Sequence, residues 1–152
     1  MKVPVTIDTR EQRPYLFERY EVRLSKHALS AGDYALTGLD DCCGIERKSK
    51  ADMFHTYSKG QRRFTRMLTL MRERHPYNAV VIECTMAEFM KGPDYWRGRR
   101  NRKAHARIVR STILGWQSSY RTPFLFIGNR DQTEYYVYDM LRIWYGRLKG
   151  GR

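Results

Sequence analysis

The first half of the chain alternates short apolar runs with turn signals. Val3–Asp8 is rich in β-branched residues and predicts a strand, and Glu21–Leu24 predicts a weaker one. Tyr34–Thr37 follows the turn signal Ala31-Gly32-Asp33, and Cys42–Lys48 follows a second turn. We therefore expect a series of strands in this half, with the last two paired as a β-hairpin.

A helical pattern begins at Ser49 and continues, past Lys59-Gly60, to about Arg74. Its second part has apolar side chains at the i, i+3, i+4 and i+7 spacing of a buried helix face, namely Phe64, Met67, Leu68 and Met71. Tyr77–Cys84 is then an apolar run with the length of a strand that is covered on both faces. Thr85–Glu88 predicts the capped start of a short helix.

The last third of the chain predicts two longer helices and one strand. A helix is expected from about Lys103 to Tyr120, with its apolar positions at Ile108, Ile113, Leu114 and Trp116. Pro123–Ile127 predicts a short buried strand, and Asp131–Glu134 has the character of a capping box before a helix that ends near Gly146. This order predicts an α/β fold with a central mixed sheet flanked by helices, in which strands joined by helical crossovers run parallel.

The charge of the chain is strongly basic and unevenly distributed. The 152 residues are 41% apolar, which fits a single domain over residues 1–152. The net charge is +13, and residues 91–152 hold 14 of the 29 Lys and Arg but only 4 of the 16 Asp and Glu. A polyanionic partner is expected, with nucleic acid as the first candidate. No apolar run is long enough to span a membrane and no signal peptide is evident, so we expect no membrane partner and a cytoplasmic protein.

Two carboxylates and an ammonium group are expected to converge near the predicted hairpin. Because strand side chains alternate, Glu46 and Lys48 share one face and Arg47 points to the other. If the hairpin brings Asp33 beside Glu46, the oxygen ligands suit Mg²⁺ or Mn²⁺ and the lysine can orient an attacking water. The alternative is an exposed cross-strand ion pair beside an ordinary turn aspartate.

These residues also form a recognisable motif. Gly32-Asp33, Glu46-Arg47-Lys48 and Asp52 resemble the G-D, E-R-K-x-x-x-D motif in the nuclease domain of the XPF-type structure-specific endonucleases, a branch of the PD-(D/E)xK nucleases. Ile7–Glu11 is similar to the first strand of that family with its D-x-R-E ending. Gly60–Phe64 is similar to its G-R-x-F helix start, with one extra residue. The resemblance implies a restriction-endonuclease-like fold over nearly the whole chain.

The resemblance implies a role for each motif residue. The carboxylates that bind Mg²⁺ or Mn²⁺, or support that site, would be Asp8, Glu11, Asp33 and Glu46. Lys48 would position the water that attacks a DNA phosphodiester, and Arg47 would hold the site or the scissile phosphate. Asp52 either supports catalysis or caps the helix that follows Ser49, and both interpretations stay open. Branched DNA, or a junction of single-stranded and double-stranded DNA, is the implied substrate, in DNA repair or recombination.

An Arg-rich segment at about residues 95–110 is expected to bind DNA. Its basic residues include Arg97, Arg99, Arg100, Arg102, Lys103 and Arg107. It is expected to begin as a loop, and Tyr95 or Trp96 can stack on an unpaired base. In the Gly60–Phe64 motif, the resemblance implies that Arg62 or Arg63 contacts DNA or pairs with an active-site carboxylate, and the inserted Gln61 leaves the register between the two arginines open. The alternative for the segment is a solvated, mobile loop.

Several partner assignments depend on the resemblance. We expect a stand-alone nuclease domain without the tandem helix-hairpin-helix module usual in family members of eukaryotes and archaea. The C-terminal aromatics either pack in the core or form a homodimer surface, and they are Tyr135, Tyr136, Tyr138, Trp144 and Tyr145. No small-molecule cofactor is expected. The alternatives to a nuclease are a non-catalytic DNA-binding module of the same fold and, less favoured, an RNA-binding protein.

Overall fold

A computed structural model describes residues 1–96 and 99–150, apart from the side chains of Arg99 and Arg100. The described strands are β1 (Val3–Asp8), β2 (Val22–His27), β3 (Tyr34–Leu36), β4 (Cys43–Lys48), β5 (Tyr77–Ile82) and β6 (Phe124–Phe126). The described helices are α1 (Lys50–Lys59), α2 (Gln61–Arg74), α3 (Met86–Phe89), α4 (Arg99–Tyr120) and α5 (Arg130–Gly150). The predicted order of strands and helices is therefore confirmed.

The strands form one mixed sheet in the order β2-β1-β3-β4-β5-β6. The antiparallel pairing of β3 with β4 places Tyr34 opposite Ile45 and confirms the predicted hairpin. Strands β4, β5 and β6 run parallel, as expected for strands joined by helical crossovers. Strand β2 pairs parallel to β1 and forms one edge of the sheet. Glu46 consequently lies in the central strand β4, directly beside Val80 of β5.

Two hydrophobic layers cover the two faces of this sheet. One layer packs α5 and the loop containing Tyr15 and Phe17 against β1 and β3. The other packs α1, α2 and α4 against β5 and β6, with Phe54 and Leu68 among its fully buried side chains. Because β4 lies between both layers, alternate side chains of β4 enter environments built by different helices.

Helix α4 differs from its prediction in its start and in its buried face. It begins at Arg99, so the expected loop from Trp96 to Lys103 is wrong for residues 99–103. Ile108 and Leu114, two of the four predicted apolar positions of this helix, are each 53% exposed. The buried face consists of the predicted Ile113 and Trp116 together with Ala106 and Val109. The small Ala106 allows close packing at a position that hydrophobicity alone would not select.

Three helix caps were predicted from sequence and one of them is misplaced. Thr85 and Glu88 form the predicted capping box at α3. Ser49 and Asp52 form the predicted capping box at α1, in which each side chain accepts the other's backbone N–H at 3.1 Å. At α5 the box is formed by Asn129 and Gln132 rather than by Asp131 and Glu134. Glu134 instead accepts a hydrogen bond from the N–H of Phe17 at 2.7 Å. The Glu134 carboxylate, which the local spacing assigned to the cap, therefore binds a loop that is distant in sequence.

Helix α5 buries one face and leaves aromatic residues on another. Its buried side chains are Thr133, Val137, Leu141 and Tyr145. Met140 and Trp144 are partly buried against the same hydrophobic layer. Tyr135 and Tyr136 are 52% and 44% exposed. None of the helices in the described part of the chain is both long and apolar enough to cross a membrane.

Candidate active site

A sharp turn before β3 places Asp33 beside β4. Gly32 has a φ of +83°, and a Cβ at this position would lie 3.1 Å from the carbonyl oxygen of Ile45, so glycine is required here. The N–H of Asp33 donates to the carbonyl of Ile45, and its own carbonyl accepts the N–H of Asp8, both at 2.8 Å. The backbone thus fixes Asp33 between β1 and β4.

Glu46 and Lys48 lie on the same face of β4, as predicted. Lys48 Nζ is 3.3 Å from Glu46 Oε1, and the ammonium group lies 5.2 Å from the centroid of the Phe64 ring. The side chain of Lys48 is only 19% exposed and that of Glu46 only 15%. Asp33 faces the same space and accepts the backbone N–H of Arg47 on Oδ2 at 2.7 Å. The predicted convergence of two carboxylates and one ammonium is present in the structure.

Burial and mutual repulsion perturb the two carboxylates. Burial is the largest cause that raises the pKa of Asp33, and the negative charge of Glu46 adds to it. Burial also raises the pKa of Glu46, although the charge of Lys48 opposes this effect. Two carboxylates that share a partly dehydrated volume resist ionising together unless a cation joins them.

Asp8 lies at the same site as Asp33 and Glu46, but its oxygens are bound by an arginine. Its two oxygens accept the N–H, Nε and Nη2 of Arg10 at 2.8 Å and the N–H of Leu29 at 2.7 Å. Burial alone would raise the pKa of Asp8, but these hydrogen bonds outweigh burial and hold the pKa below its usual value. Asp8 is therefore an ionised carboxylate that anchors the end of β1 next to Asp33.

A second ionic network lies on the opposite face of the sheet. Arg47 binds Glu11 through two nitrogens, at 3.1 Å and 3.0 Å, and contacts Glu83 at 3.2 Å. Arg130 is 3.4 Å from the same Glu83 oxygen, which also accepts the hydroxyl of Tyr15. Burial would raise the pKa of Glu11, but the hydrogen bonds and the charge of Arg47 outweigh burial and hold this pKa below its usual value. The predicted position of Arg47, away from Glu46 and Lys48, is thus confirmed.

The face with Asp33, Glu46 and Lys48 opens into a cleft of about 610 Å³. Helices α1 and α2 supply its other wall, and the charged or polar residues they contribute are Asp52, His55, Thr56, Lys59, Arg63 and Arg66. Arg63 lines the cleft, whereas Arg62 is exposed but does not line it. Asp52 was expected either to cap a helix or to support catalysis. It caps α1 and also lines the cleft.

The Arg-rich segment divides into residues with different surroundings. Arg102 donates from Nε to the carbonyl of Pro93 at 3.1 Å and lies 3.5 Å from the Asp94 carboxylate. Lys103 and Arg107 are exposed on α4. Three further predicted DNA contacts cannot be placed: Arg97 lies outside the described residues, and so do the side chains of Arg99 and Arg100.

The site also contains residues that were not predicted from the sequence, among them Glu83, His55, Arg66 and Arg130. Glu83 directly follows the buried run of β5, and a charged residue at the end of a buried strand is a usable signal. His55 follows Asp52 at helical i+3 spacing, and Arg66 follows Arg63 at the same spacing. Arg130 gave no local signal, because its contacts to Glu83 and to the carbonyls of residues 13 and 14 are distant in sequence.

The donor set fits a divalent cation that keeps much of its water. Within residues 1–96 and 99–150, no three Asp, Glu, His or Cys side chains form a ready-made metal cluster. Mg²⁺, however, is commonly held by one or two carboxylates together with waters and substrate phosphate oxygens. Asp33 and Glu46 provide two such carboxylates, and their mutual repulsion favours a cation.

Sheet order and site together define a restriction-endonuclease-like fold. A family profile for the ERCC4 domain matches residues 7–140, and the chain belongs to that family. XPF from Aeropyrum pernix has a similar solved structure, with a TM-score of 0.72, 21% sequence identity, and coverage of 98% of this chain and 68% of that one. XPF from Aeropyrum pernix in complex with DNA gives a TM-score of 0.72 at 20% identity, covering 96% and 66%. A search of curated sequences finds no match.

Proposed function

We propose that the protein is a divalent-metal-dependent DNA endonuclease that hydrolyses phosphodiester bonds in branched DNA or at single-strand/double-strand junctions. The observation that carries this proposal is the convergence of Asp33, Glu46 and Lys48 in one basic-walled cleft. A protein that only binds DNA gains nothing from buried carboxylates that face phosphate, because they repel it. Membership of the ERCC4 domain family supports the same activity.

Asp33 and Glu46 would hold the metal ion, either Mg²⁺ or Mn²⁺. When bound, such an ion polarises the scissile phosphate and lowers the pKa of a coordinated water. Asp8, which lines the cleft, and Glu11, which does not, support the site indirectly, because their oxygens are already hydrogen-bonded to Arg10 and Arg47. Of the four carboxylates, Asp33 and Glu46 are thus the two that face the cleft without a hydrogen bond from an arginine side chain in the described part of the chain.

Lys48 and Arg47 have separate roles in the proposed mechanism. Lys48 orients the attacking water in line with the scissile bond, and Glu46 at 3.3 Å holds the ammonium in place. Arg47 acts from the other face: its N–H fixes the Asp33 carboxylate at 2.7 Å, while its guanidinium fixes Glu11. Both act by holding reacting groups in one geometry before the substrate arrives.

Basic side chains on α1, α2 and α4 support DNA as the substrate. Arg63 and Arg66 line the cleft, while Lys103 and Arg107 are exposed on α4. XPF from Aeropyrum pernix, to which the fold is similar, has been solved in complex with DNA. Arg102 already binds Pro93 and Asp94, so we assign it to the support of this surface rather than to phosphate.

We also propose a homodimer that buries the exposed face of α5. Tyr135, Tyr136 and Ile143 are 52%, 44% and 47% exposed there, which is unusual for large apolar side chains grouped on one helix. Light scattering during size exclusion tests this directly. A dimer mass that becomes a monomer mass in Ile143→Arg supports the surface, and a monomer mass at every concentration contradicts it.

The nuclease proposal is tested with labelled duplex, flap, fork and single-stranded DNA in Mg²⁺, Mn²⁺ or EDTA. Metal-dependent cuts near the junction are the expected result, and they should be absent in Asp33→Ala, whose DNA affinity should be no weaker than that of the wild type because a charge that repels phosphate is removed. Asp41→Ala is the matched control, because Asp41 is exposed and does not line the cleft. Tight binding with no cleavage in any metal would instead favour a DNA-binding module. Preferential binding of RNA over every DNA form would contradict both.

A further inference from the structure

We propose that Tyr95 and Trp96 form a base-stacking platform at the rim of the cleft, which binds an unpaired base of the single-stranded arm of a DNA junction. The inference rests on the proposed function and adds to it the residues that recognise unpaired nucleotides. It is carried by ring geometry, by exposure and by the charges around the platform.

Tyr95 stands on a residue that belongs to the cleft itself. Its ring stacks on His55 with centroids 4.7 Å apart and an interplanar angle of 11°. His55 lines the cleft with Lys48, on the wall formed by α1. Tyr95 is nevertheless 50% exposed, so one ring face is supported by His55 while the outer part of the side chain meets solvent. A base placed there would extend a stack that already exists.

Trp96 is supported in the same way by a column of rings that reaches the core. It packs edge-on against His105 at 4.5 Å and remains 38% exposed. His105 in turn stacks on Phe54 at 5.6 Å, and Phe54 stacks on Phe89 at 4.5 Å. Because Phe54 and Phe89 are buried, the column of rings below Trp96 is anchored by packing in the core.

The backbone before the platform is anchored at several points. Asp94 is 3.1 Å from Lys50 of α1 and 3.5 Å from Arg102 of α4. Gly92 has a φ of +86°, and a Cβ there would come within 2.7 Å of Arg102, so the chain passes closely over the start of α4. An aromatic side chain on an anchored segment loses little conformational entropy when a base binds, which favours binding.

The surroundings of the platform match single-stranded DNA. Proteins bind unpaired strands through a basic groove that follows the backbone and through exposed rings that stack on the bases. Lys59, Arg63 and Arg66 line the same cleft as His55, and Lys103 is exposed near His105 on α4. In a duplex the base faces are already stacked on each other, so the platform would select unpaired nucleotides.

The test is the equilibrium binding of a fluorescein-labelled fork with oligo(dT) arms, and of the matched blunt duplex, in EDTA to prevent cleavage. Tyr95→Leu is expected to weaken fork binding by about fivefold to about a hundredfold, the range for loss of one stacked base, while duplex binding changes less than twofold. Tyr95→Phe keeps the ring and should stay within twofold of wild type. Leu114→Ala removes a similarly exposed apolar side chain from α4 and should change neither affinity.

An abasic nucleotide moved along the arm locates the stacked base. At one position it should weaken binding of the wild type by a similar factor and leave binding of Tyr95→Leu unchanged, because the contact is then already lost. Equal weakening of fork and duplex by Tyr95→Leu, or an abasic effect that persists in that variant, would overturn the platform. These binding measurements need no cleavage. They therefore separate failure of the platform from failure of the nuclease proposal, which is tested by metal-dependent cleavage and its loss in Asp33→Ala.

Discussion

The backbone N–H of Arg47 donates to Asp33 Oδ2 at 2.7 Å, so one strand residue joins the two faces of the sheet. On the far face the Arg47 guanidinium binds Glu11 and Glu83. The position of the Asp33 carboxylate therefore depends on a strand that is held by a buried ionic network. The consequences for stability and for activity can be tested separately.

Arg47→Ala is expected to destabilise the protein strongly. Arg47 and Glu11 side chains are only 9% and 6% exposed, so the substitution leaves the charge of Glu11 buried without a partner. Loss of one partner of a buried ion pair costs about 3 kcal/mol or more, and for a chain of this size this lowers Tm by about 6–12 °C. Thermal unfolding followed by circular dichroism measures it. Arg23→Ala, at an exposed arginine on β2, is the control, and equal Tm values for the two variants would contradict the network's role.

The contribution of Glu11 to stability is expected to disappear in acid. The folded-state pKa of Glu11 lies below its ordinary value of 4.5 because Arg47 binds the carboxylate. Its stabilising effect is therefore complete above about pH 4.5 and is lost as the pH falls through the folded-state pKa. Urea unfolding of wild type and Glu11→Gln at pH 3 to 7 should give a difference that is constant near neutrality and shrinks in acid. A difference that grows as the pH falls would have the opposite sign to this linkage.

Asp33→Asn is expected to stabilise the metal-free protein. Burial and the charge of Glu46 both oppose the ionised Asp33, and asparagine removes the charge while keeping an oxygen for the N–H of Arg47. A gain of about 1 kcal/mol corresponds to a rise in Tm of about 2–4 °C.

Added Mg²⁺ should reverse the order of the Tm values of the wild type and Asp33→Asn. The ion should raise the Tm of the wild type, because a ligand that binds only the folded state stabilises it, and should leave Asp33→Asn unchanged. Asp41→Asn, at an exposed aspartate, should respond to Mg²⁺ like the wild type. An identical Mg²⁺ response in Asp33→Asn would exclude Asp33 as a ligand.

Two neighbouring arginines on α2 should differ in their effect on DNA binding. Arg63 lines the cleft and Arg62 does not, although the sequence left their register open. If Arg63 neutralises one phosphate, Arg63→Ala should flatten the slope of log affinity against log salt by about 0.9 on duplex DNA. Fluorescence anisotropy between about 50 mM and 200 mM salt measures this slope. The same flattening in Arg62→Ala, with none in Arg63→Ala, would reverse the assignment.

Local periodicity was sufficient to predict the centre of the site. The alternation of strand side chains placed Glu46 and Lys48 together and Arg47 opposite them. The three-residue spacing of Ser49 and Asp52 likewise predicted the cap of α1. These features depend on residues that are close in sequence, and the structure confirms them.

Features that depend on distant contacts could not be predicted in this way. Arg47 contacts Glu83 across 36 residues, and the N–H of Phe17 donates to Glu134 across 117 residues. Arg102 looked like a phosphate contact from composition alone, yet its guanidinium binds a carbonyl and a carboxylate of the preceding loop. Tertiary partners decide whether such a charge is available to a ligand.

Lys48 is expected to act in the chemical step of DNA hydrolysis. The single-turnover cleavage rate of a labelled fork in Mg²⁺ by Lys48→Ala tests this role, with DNA affinity measured on the same substrate. Lys26→Ala, at an exposed lysine on β2 that does not line the cleft, is the matched control. Lys48→Ala should lose at least about a hundredfold in rate while its affinity stays within threefold of wild type, and Lys26→Ala should behave like the wild type. Cleavage by Lys48→Ala at the wild-type rate would exclude a role for Lys48 in the chemical step.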